Sequence, residues 1–208
     1  MIIKNFSTPI PPTWCPGCGN YLILAALKSA FLSLKISPHN LVICHDIGCS
    51  GNLADFIKTY GIHTLHGRVI PTAFGVKIAN PKLTVCAFGG DGGIYGEGLN
   101  HLVAAARSHA NINIFVADNH LYSLTTGQAS PTTSQGAKTK STPFGTPGLA
   151  INAVKLLSQL NPAAFVRRVN SENLEKLTLA VIDTLKHPGF SLLEIQQNCV
   201  AFGKQLKS

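Results

Sequence analysis

Residues 89–93, GGDGG, combine chemical groups that can bind a phosphorylated ligand together with a metal ion. They directly follow the apolar run LTVCAFGG at 83–90. Glycine amides and the start of a following helix can hold phosphate groups. The carboxylate of Asp91 would repel phosphate unless a divalent cation lies between them, and Mg2+ typically takes one or two protein oxygens plus ligand phosphates. A tight glycine turn with Asp91 as a helix cap explains the same residues without a ligand.

Asn119 is the second candidate metal ligand. It ends the apolar segment INIFVADN at 112–119, 28 positions after Asp91. If the two apolar segments are neighbouring parallel strands, their carboxyl ends bring the oxygens of Asp91 and Asn119 to the same edge of the sheet. A lone Asn at a strand end is usually a turn former, but its position relative to Asp91 favours a shared metal site.

Four of the six cysteines lie in three loop-like segments. Cys15 and Cys18 form a CxxC motif in WCPGCG, Cys49 lies in IGCSG, and Cys199 lies in QNCVAFG. Four thiolates can bind Zn2+ or an iron–sulfur cluster, and a CxxC pair also suits thiol redox chemistry, so the spacing alone leaves these alternatives open. The other two cysteines, Cys44 and Cys86, lie in apolar segments. We expect them to be buried free thiols and not ligands.

The segments that carry these motifs alternate between strand and helix patterns. Predicted strands cover 41–46, 83–90, 112–119, 164–169 and 190–196, and predicted helices cover 20–35, 69–79, 97–110, 150–160 and 171–186. This alternation indicates an α/β fold with a mainly parallel sheet flanked by helices. Ligands bind such sheets at the carboxyl ends of the strands. A long polar loop is expected at 125–148, and loops of that length are usually functional or mobile.

The composition excludes several classes of protein. The 208 residues are 45% hydrophobic and only 12% charged, which favours a folded body over disorder. The net charge of +8 comes from scattered residues, and only 7% are aromatic, so a nucleic-acid partner is not expected. No apolar stretch is long enough to span a membrane, and the first residues lack the apolar core of a signal peptide. We therefore expect a cytoplasmic protein with no membrane partner and with reduced cysteines.

Five segments in this order identify a family resemblance: WCPGCGN, DIGCSGN, HTLHGRVIPTAFGVKIANP, GGDGGIYGEGLNHLVAAARS and NHLYSLTTGQASPTT. The spacing from GDG to Asn119 resembles the thiamin-diphosphate motif. Together the segments resemble the β subunit of a 2-oxoacid:ferredoxin oxidoreductase, from about residue 12 to 148 and again at Cys199. The resemblance implies a single thiamin-diphosphate-binding domain over 1–208. Cluster-binding loops are implied near 12–19, 47–52 and 196–203.

The resemblance also assigns residues. It implies Mg2+ ligands at Asp91, Asn119 and the carbonyl of Leu121, and it favours one 4Fe–4S cluster over zinc at Cys15, Cys18, Cys49 and Cys199. Asn52 and Thr126 are implied near the substrate, Asn52 where many relatives carry a basic residue. The residues implied to contact thiamin diphosphate are Ile47, Gly48, Cys49, Ser50, His66, Gly90, Asp91, Gly92, Gly93, Ser123 and Leu124.

The implied reaction is oxidative decarboxylation of a 2-oxoacid to acyl-CoA, with coenzyme A as a substrate and the electrons passed to ferredoxin or a ferredoxin-like subunit. In relatives an α subunit supplies the glutamate that activates the cofactor, so no catalytic residue is assigned to this chain. Relatives also extend further beyond the last cysteine. The alternative is a zinc-stapled thiamin-diphosphate protein with a non-oxidative decarboxylase or non-catalytic binding role.

Overall fold

The computed structural model describes residues 6–207, so the first five residues of the predicted domain and its last residue lie outside the described range. The strands are β1 (Leu41–His45), β2 (Tyr60–His63), β3 (Thr84–Gly90), β4 (Asn113–Asp118), β5 (Leu121–Tyr122), β6 (Gln128–Ala129), β7 (Phe165–Asn170) and β8 (Ser191–Gln196). Six of them form a parallel sheet in the order β2-β1-β3-β4-β8-β7. The other two, β5 and β6, form a short antiparallel ribbon.

Within the described residues, one α-helix precedes β1 and four lie between later strands. They are α1 (Asn20–Ser33), α2 (Val69–Ala79), α3 (Leu99–Arg107), α4 (Ala153–Leu160) and α5 (Leu174–Lys186). Helices α4 and α5 are each preceded by an Asn cap. The Asn152 side chain accepts a hydrogen bond from the Lys155 amide at 3.1 Å, and the Asn173 side chain accepts one from the Lys176 amide at 2.9 Å. Such caps satisfy amides that have no partner within the helix.

The sheet is covered on both faces, which explains why its central strands are apolar throughout. One buried cluster joins Phe31 of α1 and Val181 of α5 to inward residues such as Phe115. The other joins α2, α3 and α4 to alternate strand residues, among them Ile114 and Val116. Neighbouring strand residues thus point to opposite faces and are buried on both.

The predicted elements agree with the structure apart from four details. The sequence did not predict the short strand β5. It also did not predict strand β2, an edge strand whose four residues are all exposed. A π-type helical turn at Gly92–Glu97 precedes α3, so this helix starts later than the expected residue 97. The predicted polar loop at 125–148 contains β6 and a bridge between Thr139 and Thr142. Of the helices within residues 6–207, none has the length and apolar character needed to cross a membrane.

The strand order places the sequence motifs at one edge of the sheet. From β1 the chain moves outward to β2 and then returns to the other side of β1 with β3 and β4. The change of direction between β1 and β3 leaves a crevice at the carboxyl ends of these strands, where α/β sheets bind ligands. The loop at 46–50 follows β1, and Asp91 and Asn119 follow β3 and β4.

Candidate functional site

Asp91 and Asn119 meet because their strands are paired in register. Parallel pairing sets Gly90 of β3 opposite Ala117 of β4, so the next residues, Asp91 and Asp118, emerge side by side. The main-chain amide of Asn119 donates to Oδ1 of Asp91 at 3.4 Å, and the Thr132 hydroxyl contacts Oδ2 at 2.8 Å. Asp91 is 1% exposed. Burial and the neighbouring Asp118 charge raise the pKa of its carboxyl group.

The side chain of Asn119 shapes the turn that follows β4. Its Oδ1 accepts hydrogen bonds from the amide of Leu121 at 3.1 Å and from the hydroxyl of Ser123 at 3.0 Å. The turn-forming role considered for Asn119 is therefore observed. Both lone pairs of its carboxamide oxygen accept these bonds, so a metal ion bound to Asn119 would have to replace one of them.

These residues line one cavity, here called the glycine-rich cavity, which encloses about 570 Å³ of space including its open mouth. All eleven residues implied to contact thiamin diphosphate line it, together with Asn119 and Leu121. Its walls are Ile47, Gly48, Cys49, Ser50, His66, Gly90, Asp91, Gly92, Gly93, Ala117, Asn119, Leu121, Tyr122, Ser123, Leu124 and Thr125.

The glycines keep this cavity open. Gly48 has φ +108°, a left-handed conformation that strains other residues, and no atom lies within 4 Å of the place where its Cβ would be. At Gly93 an added Cβ would overlap the Asp46 carboxylate and the ring of His66. The main-chain amides of the turn from Gly92 into α3 offer the donors that a phosphate group needs.

Asp46 is a buried carboxylate next to the lining residue Ile47, and the sequence analysis did not identify it. It follows β1, as Asp91 follows β3, and this shared position could have identified it. Asp46 is fully buried, and its Oδ1 accepts a hydrogen bond from the Gly67 amide at 2.8 Å. Its Oδ2 lies 3.4 Å from Nδ1 of His66, and neither atom has a hydrogen-bond partner. Burial raises the pKa of Asp46, partly offset by the Gly67 amide.

Tyr122 is a second residue of this site that the sequence analysis did not identify, and it lines the glycine-rich cavity. Its hydroxyl lies 3.3 Å from the Gly92 carbonyl and from both carboxylate oxygens of Glu97. Burial, followed by the Glu97 charge, raises the pKa of Tyr122. Nε2 of His66 lies 3.5 Å from the same Glu97 carboxylate, and the His66 and Tyr122 rings are 6.1 Å apart. Tyr122 and His66, which line the cavity, therefore form a polar cluster with Glu97.

The four loop cysteines line an adjacent cavity, here called the thiol cavity. Its walls include Cys15, Cys18, Cys49 and Cys199. Burial and the three other thiols raise the pKa of Cys49 to about 11. Burial also raises the pKa of Cys18, while the Asn20 amide lowers it. Within residues 6–207, no group of three or more His, Cys, Asp and Glu side chains has the geometry of a metal site.

The two cavities share part of their walls. Cys49, Asn119, Ser123 and Leu124 line both. The loop carrying Cys49 is anchored by Trp14, whose Nε1 donates to the Cys49 carbonyl at 2.6 Å. This bond connects the loop after β1 to the CxxC segment. A group bound in one cavity would therefore lie next to a group bound in the other.

The remaining predicted residues do not line the glycine-rich cavity. Asn52 lines the thiol cavity, and Thr126 is next to the lining residue Thr125. Thr126 has φ +78° and accepts a hydrogen bond from Nζ of Lys140 at 2.6 Å. Cys44 and Cys86 are buried within strands, as expected for free thiols.

Comparison with known proteins identifies the family of the chain. Residues 46–195 match the family described as thiamine pyrophosphate enzyme, C-terminal TPP binding domain. The chain is 38% identical, over 96% of its length and 63% of the relative's, to 2-oxoacid:ferredoxin oxidoreductase 1, subunit beta, of Aeropyrum pernix. It is 34% identical, over 91% of its length and 70% of the relative's, to 2-oxoglutarate synthase subunit KorB of Archaeoglobus fulgidus.

A solved structure extends the similarity to three dimensions. The 2-oxoglutarate:ferredoxin oxidoreductase of Magnetococcus marinus, with 2-oxoglutarate, coenzyme A and succinyl-CoA bound, matches with a TM-score of 0.93 and 31% identity. The match covers 97% of this chain and 69% of that one. The chain spans between 62 and 64% of the length of the archaeal 2-oxoacid:ferredoxin oxidoreductase β subunits that it matches.

Gly93→Ala tests whether the glycine-rich cavity depends on this close approach. The new methyl group must displace Asp46 and His66, so we expect a loss of about 1–3 kcal/mol in the free energy of unfolding, measured with urea. Gly75→Ala is the matched control, because Gly75 lies within α2 with no atom within 4 Å of its Cβ position. The control should gain up to about 1 kcal/mol. Equal stability of Gly93→Ala and the natural protein would contradict the geometry described.

Proposed function

Because the chain belongs to the β subunits of the 2-oxoacid:ferredoxin oxidoreductases and carries their thiamine pyrophosphate enzyme domain, we propose that it binds thiamin diphosphate with Mg2+ and one 4Fe–4S cluster. With a partner subunit it would convert a 2-oxoacid and coenzyme A to acyl-CoA and CO2, with the electrons passed to ferredoxin. The observation that carries this proposal is the shared wall between the glycine-rich and thiol cavities.

The residues of the glycine-rich cavity fit the polar end of thiamin diphosphate. The amides of Gly92 and Gly93 would hold the diphosphate, and Asp91, Asn119 and the Leu121 carbonyl would supply hard oxygens to Mg2+. The loop from Ile47 to Ser50 would pack around the thiazolium, with His66, Ser123 and Leu124 as further contacts. Bound thiamin diphosphate supplies an electron sink for the loss of CO2. This chain's part is to orient the cofactor and exclude water from it.

The thiol cavity fits the donor chemistry of an iron–sulfur cluster. Cys15, Cys18, Cys49 and Cys199 would be its ligands, and a bound cluster supplies one-electron transfer at low potential. The Phe202 amide donates to Sγ of Cys199 at 3.4 Å. Hydrogen bonds to sulfur are among the protein's means of setting a cluster potential. Cys49, in the wall of both cavities, would hold the cluster next to the cofactor.

The substrate and partners follow from the same proposal. An α subunit would close the open mouth of the glycine-rich cavity and supply the activating glutamate. Asn52 and Thr126 remain candidates for substrate contacts. The relatives and the solved structure named above support a 2-oxoacid and coenzyme A as substrates. The net charge of +8 suits an acidic ferredoxin or ferredoxin-like subunit. We place this complex in the cytoplasm, with neither nucleic acid nor membrane as a partner.

Substitution of Asp91 tests the Mg2+ assignment. Asp91→Ala removes the charged ligand and leaves the diphosphate poorly neutralised, so thiamin diphosphate affinity should fall by at least about 100-fold. Asn119→Ala removes a neutral ligand that water can partly replace, and its loss should be smaller. The measurement is a thiamin diphosphate titration with Mg2+ present. The absorbance of the cluster should survive both changes, and unchanged affinity in Asp91→Ala would refute the assignment.

Removal of one thiol tests the cluster assignment. Cys199→Ser should abolish the broad visible absorption of the anaerobically purified protein and lower its iron and sulfide content, because one of four ligands is lost. Cys44→Ala is the control, since Cys44 is buried within β1, and it should keep the full spectrum. Stoichiometric zinc without sulfide in the natural protein would instead support the zinc-stapled alternative.

A further inference from the structure

Asp118, the last residue of β4, is a buried carboxylate that the proposed mechanism does not use. It is 1% exposed. Its Oδ1 lies 2.8 Å from the hydroxyl of Thr132, 3.1 Å from the amide of His120 and 3.2 Å from Nδ1 of the same histidine. His120 has φ +63°, a left-handed conformation that is uncommon outside glycine. The chain therefore adopts an unusual conformation where it surrounds this carboxylate.

Thr132 connects Asp118 to Asp91. Its hydroxyl oxygen lies 2.8 Å from Oδ2 of Asp91 as well as from Oδ1 of Asp118, and the residue is 5% exposed. A hydroxyl group has one proton, so it donates to one carboxylate at a time. The other contact then places oxygen lone pairs against each other. In a site shielded from water, such an arrangement is costly unless a positive charge lies close by or one of the two carboxylates is protonated.

The charges around this pair do not balance. Glu194 of the neighbouring strand β8 is also a buried carboxylate, and it is matched by Nε of Arg168 and by the Tyr95 hydroxyl at 2.8 Å. Asp91 and Asp118 have no such partner. In the part of the chain that the structure describes, neither forms an ion pair with Lys or Arg, and the half-exposed His120 is the one basic side chain in contact with Asp118. Two buried carboxylates therefore lie at the carboxyl ends of β3 and β4, with the Thr132 hydroxyl between them and one imidazole beside Asp118.

We propose that Asp118 is a positioning residue for the divalent cation at Asp91, acting through Thr132. The hydroxyl of Thr132 holds Oδ2 of Asp91 in place, and Asp118 adds a second negative charge behind the cation without touching it. Asp118 thereby raises the affinity of the site for the cation. This inference rests on the proposed thiamin diphosphate site and adds to it a residue that sets how much Mg2+ the cofactor needs.

Asp118→Asn tests this role because it removes the charge and keeps the shape and an acceptor oxygen. The protein is used in complex with its partner subunit after removal of cofactor and metal. Mg2+ is titrated at a fixed, saturating thiamin diphosphate concentration, and cofactor binding is followed by calorimetry. The half-saturating Mg2+ concentration should rise about 10-fold, since partners behind a metal ligand contribute 10–100-fold in affinity. Binding at saturating Mg2+ and cluster absorbance should not change.

Three further variants make the test specific. Asp183→Asn also removes one negative charge, but Asp183 is half-exposed and paired with Arg167 on the surface, so its Mg2+ requirement should match that of the natural protein. Thr132→Val should raise the half-saturating Mg2+ concentration as Asp118→Asn does, because it removes the hydroxyl that contacts both carboxylates. Thr132→Ser keeps the hydroxyl and should restore the natural Mg2+ requirement.

Two results would overturn the inference. One is an unchanged half-saturating Mg2+ concentration in Asp118→Asn. The other is a loss of cofactor binding that no Mg2+ concentration restores, because that pattern indicates a structural role. The proposed function is tested separately, with the natural protein alone. It would be refuted if that protein bound no thiamin diphosphate at any Mg2+ concentration.

Discussion

The burial of carboxylates at the ends of adjacent parallel strands is the constraint on which this molecule's site depends. Asp46, Asp91 and Asp118 follow or end β1, β3 and β4, and each is at most 1% exposed. Burying a charge without a partner is costly, so neighbouring groups must compensate. The Gly67 amide, the Thr132 hydroxyl and His120 do so in part. A cation and a ligand that brings its own phosphates would complete the compensation, which is the physical basis for the proposed cofactor.

The architecture of the sheet explains why these carboxylates lie at the strand ends. Covering both faces of a parallel sheet forces its central strands to be apolar, and the polar residues are then confined to the strand ends. The reversal of strand order between β1 and β3 opens a crevice there. Cys49 follows the first of these strands, and the Trp14 bond to its carbonyl joins it to the CxxC segment. The same crevice therefore brings the glycine-rich and thiol cavities into contact, which suits a reaction that must pass electrons from a cofactor to a cluster.

Most strands and helices could be predicted from the sequence, because runs of apolar residues indicate buried segments. Strands β1, β3, β4, β7 and β8 and all five helices lie where the pattern indicates them, and the expected meeting of Asp91 and Asn119 follows from strand pairing. Strand β2 could not be predicted, since all four of its residues are exposed and no apolar pattern marks it. The contact between Asp118 and Thr132 could not be predicted either. Thr132 is 14 positions further along the chain, and a loop returns it to the end of β4. The roles of the predicted metal and cofactor ligands stay predictions.

The central claim is that the two cavities hold an electron donor and an electron acceptor side by side. The most direct measurement follows the visible absorption of the anaerobic complex, loaded with iron and sulfide, after addition of a 2-oxoacid and coenzyme A. Pyruvate and 2-oxoglutarate are the first substrates to compare. The account predicts that the absorption bleaches with one of them, and only when thiamin diphosphate and Mg2+ are both present. Bleaching without thiamin diphosphate, or none for any 2-oxoacid with all components present, would contradict it.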